Sequence, residues 1–409
     1  MMKSDALNII NCAIGAADPY DSTKNILNKI KCEIGTELTV FSIGKAAVPM
    51  AGAAQAVFGD KIKKGLLVTK YDHIGSFRSD RFEAIESAHP ISDENSIKAA
   101  EKALSIAEGL KENDVLVVLL SGGGSALLEK SILSAEMQKD ITEKLLARGA
   151  EIDEINAIRR RISLVKGGRL ASAAYPAKVY TVALSDVLNN DKSVIASGIT
   201  VKDPLPLSEF KRIANKYLPE YIEQLEKTVF DDVALNINDG GFFFAGDINS
   251  LCAAAEEKAA ELGYNVADSA RNLTGEASET AARLVAASID VPGKNAFVYG
   301  GETTVTLKGT GLGGRNQEMA LRAAIEIKGK NNVVYASVGS DGTDGPTDAA
   351  GGIVDGNTYD EMLKKGINPE KELENNNSYY ALKAVDALVV TGPTGTNVND
   401  LTLILTDNR

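Results

Sequence analysis

The sequence predicts an α/β protein made of two domains with mostly parallel sheets. Apolar runs that suit strands alternate with helix-like patterns from one end of the chain to the other, which is typical of α/β layers. The length of 409 residues exceeds what one hydrophobic core usually serves. The alternation weakens between residues 203 and 238, where three prolines interrupt it. We therefore predict one domain at residues 1–235 and a second at 236–409.

Two periodicities define the individual elements. Short apolar runs predict strands at 38–43, 65–69, 114–120, 178–184, 242–245, 296–299, 303–307, 333–338 and 401–405. Apolar residues that recur at three- and four-residue spacing predict helices at 3–16, 22–33, 45–57, 94–110, 134–147, 153–166, 250–262, 275–288, 316–328 and 378–385. The parallel order follows from the alternation, because a parallel pair needs a crossover connection, which is usually a helix.

The composition excludes several classes of partner. A net charge of −12 gives no basic surface for nucleic acid or an anionic membrane, so we expect neither as a partner. Three widely spaced cysteines (Cys12, Cys32 and Cys252) fit neither a disulfide framework nor a zinc site. The N-terminus reads as an amphipathic helix without a signal-like apolar run, and no stretch reaches membrane-spanning length. These features predict a cytoplasmic protein.

Two glycine-containing turns in the N-terminal half favour anion binding. Lys45 follows Gly44 where a strand meets an Ala-rich helix, but the P-loop pattern fails because Ala46 stands where Ser or Thr is required. Lys45 is thus either an anion-binding or a solvated lysine. A second turn has three consecutive glycines, whose amides can closely approach an anion. Its members are Ser121, Gly122, Gly123, Gly124 and Ser125.

A predicted basic helix supplies three more candidates. Asn156, Arg159 and Lys166 share one face beside the buried stripe, so they can overlook a ligand. Arg160 and Arg161 fall elsewhere on the helix and are predicted to be solvated. The alternative is a basic surface helix, but in so acidic a chain we interpret the first three as ligand-binding residues.

Carboxylates after two predicted strands suggest a cation. Asp186 follows a strand, at the end of a parallel sheet where ligands usually bind, although an Asx turn or a helix cap is the alternative. Asp341, Asp344 and Asp348 fall within eight residues, and a plain loop has little reason to accept their mutual repulsion. Oxygen ligands of this kind suit Mg²⁺. We predict Asp186, Asp341 and Asp344 as metal ligands.

The segment at 300–324 contains an apolar run, then four glycines within residues 309–314, and then Arg315 at the start of a helix. Converging amides, the helix N-terminus and a guanidinium together predict a receptor for a phosphate or carboxylate. Residues 309–314 also match the GxGxxG dinucleotide fingerprint, so a dehydrogenase is one alternative. The match sits late in the chain and leaves the other glycine turns unexplained. A non-catalytic anion sensor is a further alternative, although no output module is apparent.

The polar segment before the last strand supplies the remaining candidates. Thr394 and Asn397 can select a sugar, a base or a small polyol, or merely build turns. The two histidines, His73 and His89, lie in predicted loops and receive no catalytic role.

Nine segments in this order resemble the glycerate 2-kinases of the MOFRL type. They read SIGKAA, AHPISDE, LLSGGGSALL, EINAIRRRISLVKGGRLA, ALSDVLNNDKSVIASG, GGETTV, GGRNQEMAL, SDGTDGPTDAAGGIVDG and TGPTGTNVNDL. The resemblance runs from about residue 40 to the C-terminus. It implies a larger Rossmann-like N-terminal domain, a smaller C-terminal α/β domain and an active site in the cleft between them. It also implies Mg-ATP-dependent phosphorylation of D-glycerate to 2-phosphoglycerate.

The resemblance also assigns residues to the binding of these ligands. By position they are Lys45, the turn Ser121–Ser125, Asn156, Arg159, Lys166, Asp186, Glu302, Arg315, Asp341 and Asp344. We hypothesise that Lys45 and Arg315 come from opposite domains and bind the substrate carboxylate and the transferring phosphoryl group, with the assignment of each left open. Asp186 is expected to orient the glycerate 2-hydroxyl. ATP and Mg²⁺ are the expected cofactors, D-glycerate and ATP the small-molecule partners, and a monomer or homodimer the expected assembly.

Overall fold

The computed structural model describes residues 1–31, 37–228 and 235–409. Cys32 therefore lies outside the described residues. The chain divides into two compact units. The N-terminal unit comprises Pro19–Leu184 and Asn190–Ala245, and the C-terminal unit comprises Met1–Asp18, Ser185–Asn189 and Gly246–Arg409.

Strands and helices alternate along the described chain. The strands are β1 Leu38–Ile43, β2 Ile62–Lys70, β3 Phe82–Ser87, β4 Val115–Leu120, β5 Lys178–Leu184, β6 Asn238–Gly246, β7 Asn265–Leu273, β8 Gly293–Gly301, β9 Val333–Gly339, β10 Gly351–Asp355, β11 Leu388–Val389 and β12 Asp400–Asn408. The helices are α1 Met2–Ala16, α2 Pro19–Ile30, α3 Ala47–Phe58, α4 Glu94–Glu108, α5 Gly124–Leu127, α6 Ala135–Ala147, α7 Ile152–Ile162, α8 Arg169–Ala173, α9 Leu207–Tyr217, α10 Ile222–Thr228, α11 Ile248–Glu261, α12 Ala277–Ser288, α13 Arg315–Glu326, α14 Thr358–Lys364, α15 Pro369–Glu374 and α16 Ser378–Ala384. Short 3₁₀ helices span Gly59–Lys61, Ile195–Ser197 and Pro219–Tyr221.

The sheet of the N-terminal unit has the strand order β3-β2-β1-β4-β5-β6. Its first five strands pair in parallel. β1 and β4 are buried at every residue, as expected for apolar runs in a sheet covered on both faces. Ile43 at the end of β1 is in register with Val68 of β2 and Leu120 of β4. The loops that follow these strands therefore start side by side at one edge of the sheet.

The sheet of the C-terminal unit is mixed, with the order β11-β10-β9-β12-β8-β7. β7 and β8 are parallel, whereas β12 runs antiparallel to both β8 and β9, and β10 runs antiparallel to β9 and β11. The α/β class is confirmed, but the prediction of mostly parallel pairing fails here. The physical reason is that β12 enters between β8 and β9 from the opposite direction. In addition, β9 turns back into β10 without a helical crossover.

Two segments differ from the predicted division at residue 235. Helix α1 belongs to the C-terminal unit, because Ile9 and Ile10 pack in the same core as Leu251 and Leu403. Strand β6 completes the sheet of the N-terminal unit. A single boundary after residue 235 assigns both elements to the other unit. One boundary cannot describe units that are each built from separate segments of the chain.

The strand predicted at 303–307 is absent. Thr304 forms only an isolated bridge with Glu276. Both neighbours of β8 stop at the level of Gly301, which pairs with Leu273 of β7 and with Asp400 of β12. The chain beyond Gly301 therefore has no strand to pair with. Across the three described ranges, no helix is both long and apolar enough to cross a membrane.

Candidate functional site

The first cluster of candidate residues lies where β1 and β4 end in the N-terminal unit. The N–H of Lys45 donates to Gly122 O at 2.9 Å, and the N–H of Ala46 donates to Ser121 Oγ at 3.0 Å. Gly44 has φ +128°, and a Cβ there would lie 2.2 Å from Ser121 Oγ, so a side chain does not fit. The structure therefore brings Lys45 and the predicted three-glycine turn together, because their strands are neighbours.

The turn is stiff, whereas the Lys45 side chain is available. Ser125 Oγ shares a hydrogen bond of 2.7 Å with Ser197 Oγ, and Gly124 packs closely against Ala196. The Lys45 side chain is exposed, and within the described residues its ammonium has no hydrogen-bond or ion-pair partner. An unpaired cation beside a glycine turn can receive an anion.

Replacing Gly123 by alanine should lower the free energy of unfolding by about 1–2 kcal/mol, because Gly123 has φ +86°, a left-handed conformation that alanine adopts at a cost. Gly109→Ala is the matched control, since Gly109 has φ −81° and its added Cβ would make only ordinary contacts. Urea denaturation of both variants measures the difference. Equal stability of the two would contradict the described backbone at Gly123.

The basic residues of helix α7 and of the segment that follows it mainly form internal ion pairs. Arg160 and Arg161 are buried, and both bind Asp203, at 3.0 and 3.3 Å. The prediction that these arginines are solvated is wrong, because a later segment of the chain brings the Asp203 carboxylate against them. The sequence predicts Lys166 as a ligand-binding residue, but its buried ammonium pairs with Glu129. A buried ammonium needs such a partner, so this lysine is held in an internal ion pair and is not free to bind a ligand.

Asn156 and Arg159 remain candidates for binding a ligand. Both side chains are half-buried, and neither has a partner in the part of the chain that the structure describes. Burial lowers the pKa of Arg159. A partly desolvated guanidinium that has no carboxylate partner is a good candidate for binding an anionic ligand.

The second cluster lies in the C-terminal unit, where β12 begins beside the ends of β8 and β9. Asp400 is in register with Gly301 and Gly339. Arg315 donates to Asp400 through Nε and Nη2, and its Nη1 lies 2.8 Å from Glu302 Oε1. Burial raises the pKa of Asp400 to about 6, against the opposing effect of Arg315. The buried carboxylate thus fixes one edge of a guanidinium whose side chain is 35% exposed.

Asp344 occupies the N-terminus of helix α13. Its carboxylate accepts the N–H groups of Asn316 at 3.1 Å and Gln317 at 2.8 Å. Burial raises the pKa of Asp344, and these two N–H groups oppose the rise. The helix terminus, which the sequence predicts as a receptor for a ligand anion, is therefore already capped by a carboxylate of the protein itself.

The amides of the glycine-rich segment are also engaged internally, by residues 375–377, which we call the asparagine latch. The N–H groups of Lys308 and Gly309 donate to Asn376 Oδ1 at 2.7 and 2.9 Å, and that of Leu312 donates to a second latch side chain at 3.1 Å. A Cβ on Gly309 would lie 2.4 Å from a latch carbonyl oxygen. The glycines permit this close packing, which differs from the predicted convergence on a ligand.

The GxGxxG alternative does not fit this geometry. That fingerprint needs a strand, a tight glycine turn and a helix in immediate succession. Here β8 ends at Gly301 and α13 begins only at Arg315. The residues in between bind the latch instead of forming a turn for a pyrophosphate.

Asn376→Ala should lower the free energy of unfolding by about 1–3 kcal/mol, because two backbone N–H groups lose their acceptor and buried Glu318 loses a donor at 3.0 Å. Asn331→Ala is the control, because Asn331 is exposed. Urea unfolding curves compare the two variants. If the Asn376 variant is as stable as the control, the latch does not hold the segment.

A cavity of about 680 Å³ lies beside Arg315 within the C-terminal unit. This volume suits a small-molecule ligand. Its lining combines charged, hydroxyl and apolar groups: Leu188, Glu302, Thr303, Thr304, Val305, Leu307, Gly311, Gly313, Gly314, Arg315, Glu318, Asp344, Gly345, Pro346 and Asn376.

The predicted cation site is not assembled by protein groups alone. Asp341 accepts a backbone N–H of its own loop at 2.9 Å, Asp348 accepts a tyrosine hydroxyl at 2.7 Å, and Asp344 caps α13. In residues 1–31, 37–228 and 235–409, no three His, Cys, Asp or Glu side chains are grouped to hold a metal ion. The three loop carboxylates thus have separate structural partners, which offsets their repulsion.

Asp186 joins the cluster around Arg315 through Asn399. The Asn399 side chain donates to Asp186 O at 2.8 Å and to Glu302 Oε2 at 3.4 Å. The Asp186 side chain is exposed. Thr394 donates to a backbone carbonyl at 2.6 Å, and Asn397 accepts the N–H of Asn399 at 3.3 Å. These last two contacts favour the turn-building alternative for Thr394 and Asn397.

Several residues of the two clusters are not predicted from the sequence. The latch stands out as three consecutive asparagines, and Asp400 directly precedes the last apolar run. His89 follows the end of a parallel strand, as Asp186 does. The rule that ligands bind beyond strand ends could therefore have singled out His89.

Comparisons with known proteins identify two family matches. Residues 5–231 match DUF4147, which is described as a domain of unknown function. Residues 295–400 match the MOFRL family. Together these matches span most of both units.

Similar proteins cover essentially the whole chain. A D-glycerate 2-kinase from Thermotoga maritima is 42% identical over 98% of this chain and 97% of its own length. A crystal structure of glycerate kinase from the same organism covers 99% of both chains, with 40% identity and a TM-score of 0.92. A protein from Agrobacterium vitis, which is provisionally named a hydroxypyruvate reductase, is 36% identical over 97% of this chain and 93% of its own length.

Proposed function

This chain belongs to the glycerate kinase type 2 family, and we propose that it is a glycerate 2-kinase that converts D-glycerate and ATP into 2-phosphoglycerate and ADP. The observation that carries this conclusion is the similarity to D-glycerate 2-kinase over nearly the full length of both proteins. The available cation at Lys45 and the fixed guanidinium at Arg315 support it, since phosphoryl transfer depends on positioning and on neutralised charge.

Lys45 and the three-glycine turn form the anion-binding set of the N-terminal unit. The ammonium is a mobile point charge, and the turn keeps side chains away from the approaching oxygens. Arg159, which is half-buried without a partner in the described ranges, is a further candidate for an anionic oxygen. Lys166 has an indirect role in this proposal, because its buried ammonium neutralises the Glu129 carboxylate and does not bind the ligand itself.

Arg315 supplies the cation of the C-terminal unit. Asp400 holds its Nε–Nη2 edge, whereas Nη1 is paired with the exposed carboxylate of Glu302. An incoming phosphate or carboxylate can replace Glu302 without disturbing the Asp400 contact. The guanidinium is therefore held in place before the substrate arrives, which reduces the cost of organising the transition state.

The magnesium ion would be supplied as its complex with ATP, and Asp186 would be its protein ligand. Mg²⁺ usually keeps several waters and binds through substrate phosphates and one or two carboxylates, so it needs no cage of protein ligands. Asp186 is exposed and its backbone is held by Asn399, which fits this limited role. Asp344 fits poorly, because it is buried and caps a helix. When bound, Mg²⁺ neutralises developing charge on the phosphates.

Asp186 also orients the 2-hydroxyl of glycerate. An ionised carboxylate accepts the hydroxyl hydrogen bond and directs the oxygen lone pair towards phosphorus. We further propose a cytoplasmic enzyme that works as a monomer or homodimer.

The proposed function is tested by measuring ADP release with Mg-ATP and D-glycerate together. We expect release that requires both substrates and that stops when EDTA removes Mg²⁺. A reductase would instead oxidise NADH in the presence of hydroxypyruvate. Turnover of NADH without ADP release in the first assay would overturn the proposal.

A further inference from the structure

Three basic side chains of the N-terminal unit follow neighbouring parallel strands. Lys45 follows β1, Lys70 ends β2, and His89 lies just beyond the end of β3. The strands are adjacent in the order β3-β2-β1-β4, and Lys70 is in register with Ser87. All three side chains therefore lie at the sheet edge that carries the three-glycine turn.

The loop of His89 is fixed to the helix that leaves this turn. Ser87 Oγ donates to Leu127 O at 2.9 Å, and Ser92 Oγ donates to Ala126 O at 2.8 Å. These two hydroxyls flank His89 in sequence and bind backbone carbonyls of α5. The position of the imidazole is thus tied to the position of the turn.

The His89 imidazole lies directly against Gly123. A Cβ on Gly123 would come within 2.9 Å of His89 Cδ2, 3.2 Å of His89 Nε2 and 3.4 Å of Lys45 Cγ. The Nε2 edge of the ring and the stem of Lys45 therefore border the same small space above the glycine. The imidazole can pack this closely because Gly123 has no side chain.

The basic groups around this space are Lys45, Lys70 and His89. Within the described residues, none of the three makes a side-chain hydrogen bond or ion pair. Two carboxylates on adjoining segments bind other groups: Glu86 accepts the N–H groups of the 73–74 turn, and Asp93 accepts the Tyr71 hydroxyl and caps α4. Burial, followed by the charges of Lys45 and Lys70, lowers the pKa of His89.

We propose that His89 is a binding residue for the anion held at the three-glycine turn, contacting an anionic oxygen through Nε2 beside Lys45. The ligand is a phosphate group of the nucleotide or the carboxylate of glycerate. The identity of these ligands rests on the proposed function. In the free protein, burial and then the neighbouring lysines lower the pKa of His89, whereas a bound oxyanion raises it by favouring the imidazolium.

The chain has only two histidines, which makes the proposal directly measurable. In protein labelled at the imidazole nitrogens, His73 is exposed and serves as the internal reference. Addition of inorganic phosphate, AMP-PNP with Mg²⁺, or D-glycerate should shift the His89 signals and raise the pKa of His89, leaving His73 unchanged. The arm that produces the shift identifies the ligand group. Lys45→Met should also raise the pKa of His89 without ligand.

Kinetics of three variants complete the test. His89→Ala should lower kcat/KM by about 10- to 100-fold, as expected for loss of one hydrogen bond to a charged group. His89→Gln, which places an amide N–H near the position of Nε2, should recover part of this loss, and His73→Ala should have no effect. An active kinase whose His89 signals ignore all three probes overturns the inference and leaves the function intact. A protein without kinase activity whose His89 responds to phosphate overturns the function and retains the site.

Discussion

Replacing Arg315 by alanine should lower kcat by about 10³-fold, because the variant loses the guanidinium that stabilises charge in the transition state. Arg315 is suited to this role because Asp400 holds its Nε–Nη2 edge while Nη1 pairs with the exposed Glu302. Steady-state kinetics separate two roles. A fall in kcat indicates transition-state stabilisation, whereas a rise in KM alone would make Arg315 a ground-state binder.

The same substitution also affects stability, and a second variant separates the two effects. Without Arg315, the Asp400 carboxylate is buried and unpaired, which should cost about 1–3 kcal/mol of unfolding free energy. Arg315→Ala combined with Asp400→Asn removes that charge, so stability should recover while kcat remains low. Recovery of kcat in the double variant would show that Arg315 acts only by neutralising Asp400.

Lys45→Met should lower kcat/KM by about 100-fold with little change in stability, as expected for loss of a hydrogen bond to a charged group. The side chain is exposed, and in the described chain only its backbone N–H makes a hydrogen bond, to Gly122. Methionine keeps the length of the stem but removes the charge that binds the anion. Kinetics and urea unfolding on the same preparation measure both effects.

Lys64→Met is the matched control for Lys45→Met, because Lys64 is also exposed and lies in the same unit, on β2. It changes the net charge equally but lies outside both clusters of candidate residues. Its kcat/KM should match that of the parent protein. Equal losses in the two variants would indicate a general electrostatic effect and would contradict a specific role for Lys45.

The sequence predicts the N-terminal cluster well because its geometry depends on local order. Apolar runs identify β1 and β4, and their adjacency in a parallel sheet brings Lys45 to the three-glycine turn. The strand-end rule needs only the order of the strands. It also leads to His89, once β3 is placed at the edge of the same sheet.

The C-terminal cluster is harder to predict because distant segments satisfy its polar groups. The N–H of Gly309 binds Asn376, which lies 67 residues further along the chain, and the start of α13 is capped by Asp344. A run of glycines looks the same whether its amides await a ligand or pack on the protein itself. Lys166 misleads in the same way, since Glu129 is not visible in the helix pattern.

Phosphorus NMR of the product formed from Mg-ATP and D-glycerate tests the central claim most directly. The signal distinguishes the two phosphate esters of glycerate, because the ester oxygen is bonded to a secondary carbon in 2-phosphoglycerate and to a primary carbon in 3-phosphoglycerate. We predict 2-phosphoglycerate, accompanied by an equal amount of ADP. Formation of 3-phosphoglycerate, or no phosphate ester at all, would contradict the assignment of this chain as a glycerate 2-kinase.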